Sequence, residues 1–272
     1  MDRAELLLTP ARSVLLALWG QHLGSGAVPL RSAIDAVEGD DEPHVVDAAS
    51  LGPDGPTTLP DLLADWAEGS RTLAAALPSP GDLAGVPAAV SGAAADAGEC
   101  VLARTANGTY AAVPVIEEFG SVYETGHLVT WTVHRVPEWQ TVLMGAVGSL
   151  AEAERDLRTA LLASTDALAS LDVARWRPDA AEAIATLRSQ DPAAGLLPPT
   201  LDPRRVRVLT LALRLRGIVA LATADDGGAV NLWQADQRST ALREIDRAAR
   251  RALSSATLVT DDHARGTAPL GG

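Results

Sequence analysis

Between residues 117 and 134 the chain collects two adjacent carboxylates, Glu117 and Glu118, a phenol, Tyr123, a further carboxylate, Glu124, and two imidazoles, His127 and His134. Carboxylates beside imidazoles are the donor set of a divalent-metal site or of a general acid/base pair. The seven-residue step between the histidines puts them on opposite faces of a strand, so one centre cannot use both. His127 with Glu117 or Glu118 is the economical pairing, and Glu117, Glu118, Tyr123 and His127 form the candidate ligand-binding set. Their spacing matches no defined metal motif, and the same residues suit a solvated connection in a sheet.

A second acidic cluster, Glu38, Asp40, Asp41, Glu42, His44 and Asp47, lacks the ligand spacing of a calcium loop and reads as a charged, hydrated loop. Cys100 is the only cysteine, so no disulfide can form within the chain. An activating imidazole would make it a nucleophile, but a buried small hydrophobe is the ordinary role. No Gly-x-Ser triplet and no dinucleotide fingerprint occurs. Lysine is absent altogether, which removes Schiff-base chemistry, a P-loop lysine and the protein-kinase strand lysine. No cofactor is implied.

All 22 cationic side chains are arginines, set against 35 acids, for a net charge of −13. Residues 1–200 carry a balance of −16 and residues 201–272 a balance of +3. Arg243, Arg247, Arg250 and Arg251 line one side of a C-terminal helix, and Arg207 and Arg214 mark a narrow polar stripe on a very apolar one. Arg207, Arg214, Arg243, Arg247 and Arg250 are therefore candidate contacts for an anion or a partner. Phosphate tracking by this stripe is opposed by the interleaved Glu244 and Asp246 and by the overall charge. Docking against the chain's own acidic half is the preferred reading, because arginine suits buried ion pairs. On the helix from Val206 to Ala222, buried guanidiniums would need carboxylates.

The elements that must position these groups change period along the chain. Thr9-Pro10 starts a helix through Val14, Leu15, Leu18 and Trp19, ended by Gly24 and Gly26; Pro29 starts a second. Residues 39–60 read as loop with a possible strand at His44–Val46, and Pro60 starts a helix that runs through Leu73 and Leu77. Asn107-Gly108 signals a hairpin between two strands. A third strand, His127–Val136, alternates, with His127, Val129, Trp131, Val133 and Arg135 on one face. Trp131 and Trp139 could offer a ligand or partner surface, although anchoring the core is their ordinary role in a chain with one Phe.

From Ser149, whose spacing to Glu152 is that of a capping box, the pattern is helical, with further starts at Pro178 and Pro203. The fold expected is α+β: a small antiparallel sheet of about three to five strands among N-terminal helices, followed by a C-terminal helical bundle. Residues 1–146 read as the α+β lobe, 149–260 as the helical lobe and 261–272 as a flexible tail. No stretch approaches the length of a membrane span, so the cytoplasm is the expected location. The expected function is non-catalytic protein–protein contact, including self-association. A small-molecule site at the Glu/His region is the alternative, and nucleic-acid binding by the arginine helix comes third.

Overall fold

The computed structural model describes residues 8–23, 28–121, 124–170, 195–223 and 232–259, without the side chains of 163–170 and 232–238. Tyr123, Gly24, Gly26, the helix expected at Pro178 and the tail 261–272 lie outside the described residues.

The elements run α1 (Arg12–His22), α2 (Leu30–Glu38), β1 (Val45–Asp47), α3 (Leu59–Ala67), β2 (Thr72–Ala76), α4 (Ser91–Ala97), β3 (Cys100–Thr105), β4 (Gly108–Ser121), β5 (Glu124–Arg135), α5 (Gln140–Val147), α6 (Leu150–Ser170), α7 (Pro203–Thr223) and α8 (Leu232–Thr257). The architecture is α+β, with helices at both ends of a five-stranded sheet ordered β1-β5-β4-β3-β2. The sheet is mixed rather than purely antiparallel. β1 runs parallel to β5, with Val45 opposite Thr130 and Val46 opposite Trp131, while all other pairs are antiparallel.

Local chemistry explains most boundaries. Thr58 and Asp61 close a capping box at the start of α3, and Ser149 and Glu152 close another before α6. The helix expected to continue from Pro60 to Leu77 ends at Ala67, because Gly69 takes φ +68° and releases the chain into β2. Leu73 and Leu77 are then buried from a strand and the turn after it, not from a helix. The β3–β4 hairpin is present one residue out of the expected register: Ala106 and Asn107 form the loop and Thr105 pairs with Gly108.

α1 has no side-chain cap of its own; Thr9 lies three residues before its first turn. Its Ser13 amide instead donates to the Glu99 carboxylate at 2.7 Å, in the interior. Burial pushes the Glu99 carboxyl up, opposed by the hydrogen bonds from Ser13 and the charge of Arg12.

The inner face of the sheet carries Val46, Leu73, Ala75, Val101, Ala103, Ala112, Val129, Trp131 and Val133. It forms one apolar core with α1, α2, α3, α6, α7 and α8, so the core runs through both ends of the chain. At Gly20 the backbone of α1 comes so close to β2 that a Cβ would sit 2.7 Å from Leu73 Cδ2. On the outer face Ala74, Ala76, Cys100, Leu102, Ala111 and Val113 are covered by Val86, Val90, Ala94 and the α5 residues Leu143 and Val147. Trp139 belongs to this second cluster and is 1% exposed, its indole N–H donating to Ala103 O, so it is core and not surface.

Candidate functional site

Asp41 is the hub of the region that holds His127. Arg12, on the first turn of α1, grips its carboxylate with two hydrogen bonds, Nε at 2.5 Å and Nη2 at 2.7 Å. His44 Nε2 lies 3.1 Å from Oδ2 and His127 Nδ1 lies 3.1 Å from Oδ1. Two backbone contacts bring the loop to β5: the Glu42 amide donates to His127 O, and β1 pairs with residues 130–132. His44 is buried, and Trp131 Nε1–H donates to its Nδ1 at 3.1 Å. Nδ1 must therefore be unprotonated, which leaves the proton on Nε2, facing Asp41. A neutral imidazole thus completes a Trp131–His44–Asp41–Arg12 chain across the inner face.

The charges of the cluster follow from these contacts. Burial holds the His44 imidazole below its ordinary value, only partly opposed by Asp41 and Glu38. Burial also pushes the Asp41 carboxyl up, but hydrogen bonds from Arg12 and His44 outweigh it and leave it below the usual range. Folded His44 thus binds fewer protons than unfolded His44 below about pH 6.5, so stability contributed there is complete above that pH and falls as the solution is acidified. Asp41 adds a loss of the same sign at lower pH, as its carboxylate is protonated. Glu99, whose carboxyl is raised, has the opposite sign: its contribution declines as pH rises from its unfolded value. The His44→Gln variant isolates the histidine. The stability gap between wild type and His44→Gln, measured by urea unfolding, is expected to be widest above pH 7 and to shrink steadily from pH 6.5 to pH 5. A gap independent of pH would contradict the neutral assignment.

The structure reorders the candidate set drawn from the sequence. Glu118 does lie opposite His127 in the β4–β5 ladder, on the same face, whereas Glu117 pairs with Leu128 on the other. The charged partner of His127 is Asp41, from the cluster that reads in sequence as a hydrated loop. Among the described residues, no group of three His, Cys, Asp or Glu is arranged to hold a metal ion. Cys100 is buried, and burial raises its thiol, so it is no nucleophile in this state.

Beyond the third strand, β4 and β5 continue as a two-stranded ribbon. β3 reaches only to Ala112, while the β4–β5 pairing continues to Ser121 and Glu124. The ribbon and β1 present an apolar outer surface that no element among the described residues covers. Val115, Thr130 and Val45 form one row across three strands. Val45 is 54% exposed, Val115 49%, Leu128 46% and Phe119 44%. The Phe119 ring lies on Gly126, where a Cβ would collide with it, so the glycine and the aromatic are fitted to each other. The outward acids of these strands are Asp47, Glu117 and Glu124, all exposed. No outward position of β1, β4 or β5 is an arginine.

The C-terminal arginines divide by location. Arg247, Arg250 and Arg251 of α8 surround Asp82, at 3.5, 3.4 and 3.9 Å. Arg250 is buried; it also pairs with Asp246 at 2.8 Å and donates to Leu77 O at 2.7 Å. Arg243 is exposed and bonds its own helix at Ser239 O and Thr240 Oγ1. Arg207 is exposed rather than buried in the bundle, and Arg214 is partly buried. A partly buried cation of α7, Arg205, is held by carbonyls: its Nη1 donates to Ala256 O at 2.8 Å and to Leu258 O at 2.9 Å. It neutralises the negative end of α8.

Arg12, Asp41 and His44 do not stand out as a unit in the sequence, because Arg12 and Asp41 are 29 residues apart and His44 and Trp131 are 87 apart. The local signal for them is Asp41 three residues before a histidine, just ahead of a short strand.

Residues 13–147 match the family described as Rv1486c-like protein, N-terminal domain, and residues 151–254 match Rv1486c-like protein, C-terminal domain. No curated protein and no solved structure matches the chain. With both domains present in order over most of its length, the chain belongs to the Rv1486c-like family.

Proposed function

We propose that this protein works by contact with another protein, through the uncovered half of its sheet, and not by catalysis. The observation that carries this reading is the outer face of β1, β5 and β4. Four large apolar side chains stand at 44–54% exposure on one contiguous pleated surface, while the other half of the same face is roofed by α4 and α5. Contiguous apolar surface of this kind marks interaction sites far more often than scattered exposed residues do. The Asp41 cluster fits the reading as its scaffold, since it fastens α1, the loop before β1 and the base of the ribbon together.

The test is a photocrosslinking residue placed at Leu128 in the native host. It should give a discrete crosslinked species that the same residue at Leu162, equally apolar and 69% exposed on α6, does not give.

One observation favours a second reading, a small-molecule site at His127. Asp41 Oδ1 lies 3.1 Å from its Nδ1, and no hydrogen bond of its Nε2 is found among the described residues. A thermal shift with a divalent metal or an anionic metabolite, lost in His127→Ala and Glu118→Ala, would move the function there.

A further inference from the structure

The uncovered half of the outer face has a definite shape and charge, and we infer that its occupant is a basic amphipathic helix from a different protein. This inference rests on the contact reading above and names the partner's chemistry.

The shape argues for a helix. β4, β5 and β1 span two interstrand spacings, about 10 Å, which is the diameter of one α-helix. On the neighbouring half, the chain fills the corresponding layer with its own helices α4 and α5. A strand cannot add at the β1 edge instead. There the Val46 amide already donates to Thr57 O, and Val45 bridges Thr58. On the other side of the ribbon Pro114 has no N–H to offer. The broad apolar surface is the face, and a face of alternating apolar residues is covered by an apolar helical stripe.

The charge argues for a basic partner. Asp47, Glu117 and Glu124 flank the apolar row, and among the described residues none of the three is ion-paired to an arginine of the chain. A second copy of the chain is a poor occupant. Face-to-face pairing would set these acids against their own counterparts, on molecules that each carry −13. The arginines of α8 that could have served as counter-charges, Arg247, Arg250 and Arg251, are already gathered on the same chain's Asp82. An apolar stripe flanked by lysine or arginine satisfies both features.

The experiment uses the full chain and two labelled helical peptides of about 20 residues, long enough to be helical in isolation. Both carry leucines at helical spacing; one has lysine at the flanking positions and the other glutamate. Fluorescence anisotropy should show the lysine peptide binding at least about tenfold tighter than its glutamate twin. Val115→Ser with Leu128→Ser should weaken it by about tenfold or more, while Leu162→Ser should leave it within about twofold. Asp47→Asn with Glu117→Gln should weaken binding and flatten its salt dependence.

Lysine-peptide binding that ignores the outer-face changes would be non-specific charge attraction and would overturn the inference. Equal binding of the two peptides would overturn it as well. Sedimentation of the protein alone separates the two levels. A dimer dissolved by Val115→Ser with Leu128→Ser would make the occupant a second copy, sinking the inference while the contact reading stands. No dimer, no peptide effect and no crosslink from Leu128 would sink both.

Discussion

Replacing Asp41 by alanine is expected to cost about 3–5 kcal/mol of unfolding free energy, the range for removing one partner of a buried ion pair. The carboxylate is nearly enclosed, with 8% of its side chain exposed; it accepts from Arg12 and His44, and His127 Nδ1 lies 3.1 Å away. Its loss leaves the Arg12 guanidinium, which is mostly buried, without a counter-charge and the His44 Nε2–H without an acceptor. Asp41→Asn should cost less, because the amide oxygen can still accept. Urea unfolding monitored by tryptophan fluorescence reads both, and a double cycle with Arg12→Ala should show strong coupling. An Asp41→Ala loss below about 1 kcal/mol, the scale of a surface pair, would mean that the cluster is solvated.

Arg250→Ala is expected to be comparably severe, about 3 kcal/mol or more. This guanidinium joins α8 to the N-terminal half by donating to Leu77 O just after β2 and by pairing with Asp82. Removing it strands a buried carbonyl and lessens the neutralisation of Asp82 and Asp246. The neighbouring Arg243, which touches only its own helix, supplies the contrast: Arg243→Ala should stay within about 0.5 kcal/mol. Thermal unfolding of the pair of variants checks the difference. Equal effects would show that the α8 arginines act only through the helix surface and not as a clamp between the two halves.

The elements that were legible in the sequence are those whose signals are local. The alternation of β5 placed Val129, Trp131 and Val133 on one face, where the structure has them in the core. The Ser149/Glu152 spacing marked the start of α6. Leu73 and Leu77 misled because their four-residue step fits a helix, whereas the Gly69 turn before them commits the backbone to β2. β1 is only three residues long, and its direction is set by packing beside β5, which no local pattern encodes.

The site was less legible than the fold, for the same reason. Glu118 and His127 could be matched because a hairpin register relates them. Asp41, His44 and Arg12 could not, since their contacts depend on how α1 and the loop before β1 fold across the sheet. The apolar outer face was hidden in a different way. Val115, Phe119 and Leu128 look like core residues until the sheet shows that α4 and α5 cover only its other half.

We propose this bare half-face as the working surface of the protein. Photocrosslinking from Leu128 in the native host tests it most directly, with Val115→Ser and Phe119→Ser as companions and Leu162 as the control position. One discrete crosslinked species is expected from Leu128, lost when Val115 and Phe119 are replaced and absent from Leu162. The same species from Leu162, or a Leu128 crosslink indifferent to the two serines, would contradict it.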